Sequence, residues 1–294
     1  MKIISSRQNP DFKKLKAIAS DPRARRTYQA CWLEGERLCT AYLDTLNQNT
    51  HPSQTAVGMG ESFQAPVLVT TPDQSEALQA RYGALLGDLW VLDSKCFGAI
   101  SQVASPSGWG LVIPLPVNAI GNRRDATALR QKSNHDLPDL VVLDRITDPG
   151  NAGAIIRSAA AAGIGVIWCV GPHVDIWSPK VLRSAMGGHF ALRIIEDVAE
   201  ADALSQLAIL GPQLLATALT SNAISLYAPT LDLKQPTAWV FGQEAHGVSP
   251  GILKQAKAVR IPQDACVESL NVAASAAVCL FEMRRQRLAA MKIT

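Results

Sequence analysis

The stretch DLVVLDRITDPGNAGAIIRSAAAAGIGVIWCVG, Asp139 to Gly171, runs from an apolar segment through a polar turn and an Ala-rich segment into a second apolar segment. DLVVLD has no polar alternation, the pattern of a strand buried on both faces. RITDPGN reads as a turn, AGAIIRSAAAAGI as a helix ending at Gly163, and GVIWCVG as the next buried strand. A strand, a crossover helix and a second apolar strand form the repeating unit of a parallel sheet covered on both faces.

The same grammar continues toward the C-terminus. ALRII, QLLATAL, AWVFG and AVRIP are strand candidates, and SPKVLRSAMGG, EADALSQLAIL and PGILKQAKA are helix candidates between them. A last long helix is expected from about Asn271 to Ala290. Residues 138–294 are therefore predicted to form one α/β domain with a mostly parallel sheet, whose ligands should collect at the carboxyl ends of the strands. Residues 116–137, polar and bounded by prolines, read as a linker. Residues 1–115 carry mixed helix and strand signals and form a smaller α/β domain, with an exposed loop at 47–65. No internal repeat is evident.

Composition narrows the class. Apolar residues make up 48% and charged residues 18% of the 294, a core-forming balance that excludes wholesale disorder. No apolar run approaches the roughly 20 residues that cross a bilayer, and the opening MKIISSRQNPDFKKLK lacks the apolar segment of a secretory signal. The six cysteines are scattered without a CxxC pair. A reduced, metal-free protein of the cytoplasm, with no membrane partner, is the expectation. Net charge is only +3, but residues 1–26 hold eight Lys and Arg against two Asp. That excess reads either as a phosphate-attracting face or as a solvated helix surface.

Three segments at strand ends could carry chemistry. In the first, Asp148 to Asn151 form a tight turn, and Arg157 is the lone cation of an otherwise apolar helix. It could reach solvent, pair with a carboxylate or act on a ligand. In the second, VFGQEAHGVS, Glu244 and His246 stand between Gly242 and Gly247, as a site or as a polar turn. In the third, RIPQDACVESLNVAASAA, Ser269 or Asn271 could cap the last helix, and the small residues after them permit close packing against a second backbone.

Taken in order, Asn151-x-Gly153-x-x-x-Arg157, Phe241-Gly-x-Glu-x-x-Gly-Val-Ser249 and Ile261-Pro … Ser269-Leu-Asn-Val-Ala273 resemble the three motifs of the SpoU (TrmH) family of RNA ribose 2′-O-methyltransferases. Residues 1–115 are similar to the L30e-like substrate-binding domain that often precedes the catalytic one. The resemblance implies a trefoil knot in the loops after the last strands and S-adenosylmethionine as cofactor. It implies a homodimer acting on RNA, ribosomal RNA in preference to transfer RNA. Thr217, Ala218, Leu219, Gly242, Ile261 and Leu270 would hold the cofactor, glycine at 242 letting the backbone approach it closely. Arg157 would bind phosphate and stabilise the oxyanion, or accept the proton. Asn151, Glu244, Ser269 and Asn271 would position the substrate and Arg157, with Glu244 as its ion-pair partner, while His246 would be a turn residue.

Rival readings meet specific obstacles. A nicotinamide-dependent oxidoreductase needs GxGxxG after the first strand, and Gly150 and Gly153 do not supply it. A serine hydrolase needs a GxSxG elbow, which is nowhere in the chain. A protein that only docks RNA would be expected to have lost Asn151, Arg157 or Glu244, and all three are present.

Overall fold

The computed structural model describes residues 1–48, 63–116, 139–264 and 266–291. The predicted linker and most of the 47–65 loop lie outside the described residues. The chain divides into two compact units, Met1–Val117 with Asp175–Ala191, and Asn118–Val174 with Leu192–Thr294.

The first unit is built on a five-stranded mixed sheet of β1 (Lys2–Ile4), β2 (Ala30–Glu34), β3 (Val67–Thr70), β4 (Asp88–Leu92) and β5 (Trp109–Pro114), in the order β1-β4-β3-β5-β2. Its helices are α1 (Pro10–Ser20), α2 (Pro22–Tyr28), α3 (Glu36–Asn47), α4 (Ser75–Tyr82) and α5 (Ser94–Ile100). Asn9 starts α1 by accepting from the amides of Asp11 and Phe12, and Leu15 and Ile18 turn inward on Trp32 and Trp90. The basic run of residues 1–26 is partly internal. Arg25 is buried, donating to Asp175 (Nε, 2.7 Å) and to the Ile18 carbonyl, while Lys13, Lys16, Arg23 and Arg26 are exposed.

The second unit carries a seven-stranded sheet in which every pairing is parallel. Its strands are β6 (Leu140–Asp144), β7 (Val166–Val170), β8 (Arg193–Val198), β9 (Gln213–Thr217), β10 (Ile224–Ser225), β11 (Thr237–Gly242) and β12 (Lys257–Arg260), ordered β10-β12-β9-β11-β6-β7-β8. β6, β7 and β11 are buried residue by residue, which is why they show no alternation. Between β6 and β7 runs α6 (Pro149–Ala162), capped by Asp148 on the Asn151 amide and ended by Gly163 in the left-handed conformation.

Two features differ from the sequence reading. First, α7 (Pro179–Ala185) and its flanks, placed by sequence in the C-terminal domain, belong to the first unit. Buried Val181, Leu182 and Phe190, an edge-on contact of Phe190 with Tyr42, and the Arg25–Asp175 ion pair hold them there. Second, α8 (Glu200–Leu210) forms as expected, but PGILKQAKA yields a single turn, α9 (Pro250–Leu253), because Lys257 onward is taken by the sheet. At the basic end of the last helix, α10 (Val272–Met291), two arginines bond back to the body of the unit. Arg284 donates to the Ala162 carbonyl at the end of α6 (3.2 Å), and Arg287 binds Asp139 and the carbonyls of Leu233 and Gln235.

His189 offers a test of the first unit. It is buried, its Nε2 bonds the Ile176 carbonyl at 2.9 Å, and burial pushes the imidazole down to about 4. Above pH 6.5 the ring is neutral folded or unfolded. As pH falls toward 4 the unfolded chain binds the proton first, so stability drops by up to roughly 3 kcal/mol. Urea denaturation at pH 7 and pH 4.5 should show that loss, and His189→Gln should flatten this part of the slope.

Candidate functional site: a cleft at the strand ends

The carboxyl ends of β9, β11 and β12 open on one cleft of the second unit. Gly242 closes β11 in register with Asp144 at the end of β6, and Val259 of β12 pairs with Thr217 at the end of β9. The cleft has a volume of about 510 Å³. Its walls come from Thr217–Leu219, Gly242–Glu244 with Gly247, Val259–Ile261, Gln263, and Ser269–Val272 with Ser275. All six positions proposed from sequence for cofactor contact lie in this wall, with Glu244, Ser269 and Asn271.

Asn151 and Arg157 stand differently. Asn151 is not among the wall residues but joins two of them: its Nδ2 donates to Glu244 Oε1 (2.5 Å), and its Oδ1 accepts from Asn271 Nδ2 (2.9 Å). Asn271 Oδ1 in turn caps α10 on the amides of Ala273 and Ala274, the N-cap role considered for it. One residue of each sequence motif thus enters a single hydrogen-bonded chain. Arg157 is exposed and, among the described residues, makes no ion pair with Glu244. The helix explains the difference. Six residues beyond Asn151 is about 9 Å along the axis and about 120° around it, so the carboxylate that meets Asn151 is not beside Arg157.

The Gly242–Ser249 turn adds a demand of its own on the glycine in the cleft wall. A Cβ on Gly242 would fall on the backbone of Gly247 and Val248, so the turn folding back on itself already requires glycine there. Gly247, with φ +67°, turns the chain back, and its amide donates to the Gln243 carbonyl at 2.7 Å. His246 is an exposed turn residue, its Nδ1 at 2.7 Å from Gln243 Oε1.

Two residues that the motifs did not single out fix this turn. Asp144 is fully buried, and its carboxylate accepts from Arg145 Nε (3.0 Å), Arg145 Nη2 (3.3 Å) and the Ser249 amide (2.5 Å). Arg145, at φ +59°, also donates from Nη2 to the Gly247 carbonyl at 3.2 Å. The hydrogen bonds to Asp144 raise the Arg145 guanidinium above its ordinary range. The sequence signal was an acid ending an otherwise apolar strand. Gln243, Arg260, Gln263 and Ser275 are further wall residues outside the sequence assignment. Among the described residues, no group of three or more His, Cys, Asp or Glu side chains is placed to hold a metal.

A parallel sheet with a cleft at its strand ends, walled by the loops after β9, β11 and β12, is the arrangement in which α/β proteins hold small ligands. Residues 139–281 match the SpoU rRNA Methylase family. The chain is 30% identical over 289 residues to a Synechocystis protein described as an uncharacterized tRNA/rRNA methyltransferase, covering 98% of this chain and 95% of that one. It belongs to the SpoU methylase family. It is also 26% identical, over 66% of its length and 72% of the relative's, to the 23S rRNA (guanosine(2553)-2′-O)-methyltransferase RlmP of Bacillus subtilis. The crystal structure of an AdoMet-bound rRNA methyltransferase from Sinorhizobium meliloti superposes with a TM-score of 0.77 at 28% identity, covering 97% of each chain. The chain spans about half the length of the vertebrate mitochondrial rRNA methyltransferases 3 that it matches.

Arg145→Ala should leave Asp144 buried with one remaining donor and cost about 3 kcal/mol. Hydrogen exchange should then show faster exchange at the Gly247 and Ser249 amides than in β7. Slowed or unchanged exchange at those amides would remove Arg145 from the support of the turn.

Proposed function

We propose that this chain transfers a methyl group from S-adenosylmethionine to a ribose 2′-hydroxyl of structured RNA, ribosomal RNA in preference to transfer RNA. The observation that carries the reading is the Glu244–Asn151–Asn271 chain, which ties all three motifs together at the wall of one cleft. The cleft suits that cofactor. Its volume lies in the range of small-molecule sites. Leu219, Ile261 and Leu270 offer apolar surface for an adenine, and Glu244 offers an anion to a cationic ligand. RlmP, a ribose 2′-O-methyltransferase by name, and the AdoMet-bound neighbour support the assignment.

When bound, the cofactor supplies an electrophilic methyl on a sulfonium. The protein's task is to make a neutral hydroxyl nucleophilic and to hold it in line. Arg157, exposed at the middle of α6, binds the phosphate next to the target ribose and stabilises the oxygen as its proton leaves. A guanidinium is a poor base in water, so binding phosphate and stabilising the oxyanion is the role assigned to it here. Asn151, fixed by Glu244 and Asn271, sets the position of the α6 start against the cleft, and Ser269 lies in the wall where a ribose hydroxyl could be bonded.

The same reading makes the loops after β9, β11 and β12 a trefoil knot and the first unit an L30e-like RNA-binding module. Its exposed Lys13, Lys16, Arg23 and Arg26 supply phosphate contacts. It also makes the protein a homodimer, with exposed Phe281, Leu288 and Met291 of α10 as apolar contact surface.

RNA from a strain lacking this protein, incubated with it and radiolabelled S-adenosylmethionine, should take up label as 2′-O-methylnucleoside in a ribosomal RNA band. Label confined to transfer RNA would move the substrate, and label on a base would refute the ribose assignment. Arg157→Ala should lower incorporation at least a hundredfold while S-adenosylhomocysteine affinity stays within a few fold. Near wild-type turnover would remove Arg157 from the mechanism.

A further inference from the structure

We propose that Arg260 binds the carboxylate of the cofactor's amino-acid tail, so that the cleft selects a nucleoside bearing that tail over one without it. This rests on the cofactor reading above and names a residue outside the sequence assignment.

Arg260 is the last residue of β12, where the sheet holds the backbone on both sides. The preceding Val259 accepts from the Ala218 amide at 3.0 Å, and Arg260's own carbonyl accepts from the Leu226 amide at 2.8 Å. Val259 is fully buried, whereas Arg260 is exposed and contributes to the cleft wall. The wall holds one carboxyl side chain, Glu244, and one guanidinium, Arg260; its other polar side chains are hydroxyls and amides. Glu244 is engaged by Asn151, while the Arg260 guanidinium makes no hydrogen bond or ion pair among the described residues.

S-adenosylmethionine carries two cationic groups, the sulfonium and the ammonium, and one anion, the carboxylate. One acid and one unengaged guanidinium in an otherwise neutral wall complement that pattern of charge. A guanidinium can meet a carboxylate through two parallel N–H bonds, which fixes orientation as well as supplying affinity. An RNA phosphate is the competing anion. The place of Arg260 in the same wall as Ile261 and Leu270 favours the small molecule, whereas Arg157 lies outside that wall.

Calorimetric titration of the full-length protein with S-adenosylhomocysteine and with 5′-methylthioadenosine tests the assignment. The second ligand keeps the adenosine and the thioether but lacks the amino-acid tail. Arg260→Gln should weaken S-adenosylhomocysteine at least tenfold and leave methylthioadenosine within twofold, with Arg260→Lys between wild type and Gln. Equal weakening of both ligands would overturn the proposal, as would unchanged S-adenosylhomocysteine affinity with loss of RNA binding alone. A wild-type protein that binds neither nucleoside would overturn the cofactor reading itself and this assignment with it.

Discussion

A carboxylate with no exposure to water organises the C-terminal unit. Burying Asp144 at the end of β6 carries a desolvation cost of several kcal/mol unless donors replace the water it loses. Arg145 and the Ser249 amide provide those donors, and each belongs to a different part of the chain. The strand can therefore be satisfied only when the Gly242–Ser249 turn folds back over it. The same turn leaves no room for a side chain at Gly242, which sits in register with Asp144 on the neighbouring strand. Charge satisfaction and steric exclusion thus select one path for the turn, and that path sets where Glu244 stands.

The placement of Glu244 determines the chemistry open to its neighbours. Because Asn151 donates to it, the carboxylate works as an orienting acceptor within a neutral amide chain. In the mechanism proposed above, a salt bridge from Glu244 would compete with an RNA phosphate for Arg157. The loops are positioned instead by amides, which offer no such competition.

Much of the second unit was legible because its strands are buried on both faces and its turns carry strong local chemistry. LVVLD, VIWCV and TAWVFG advertise themselves by unbroken apolarity, and Asp148-Pro149 and Gly163 bracket α6 by capping rules that act within a few residues. The cleft residues were legible through motifs whose spacing reflects three loops meeting. Long-range partnerships were not. Nothing near Asp175–Ala191 tells that its apolar face packs with the N-terminal unit, since that depends on Arg25 and Tyr42 more than 130 positions away. The acceptors of Arg287, Asp139 and the carbonyls of Leu233 and Gln235, are likewise distant in sequence.

Gly242 shows how one residue can stand under two demands. A glycine beside a ligand pocket and a glycine beneath a returning turn look the same in sequence, since both need the absence of a Cβ. The two causes diverge in what substitution does. A side chain that met only a ligand would block binding and leave the fold intact, whereas one that meets Gly247 and Val248 must displace the turn and pull the Ser249 amide from Asp144. Substitution at Gly242 is therefore expected to cost stability and ligand affinity together. That coupling makes Arg260, on an independent strand, the cleaner probe of what the cleft holds.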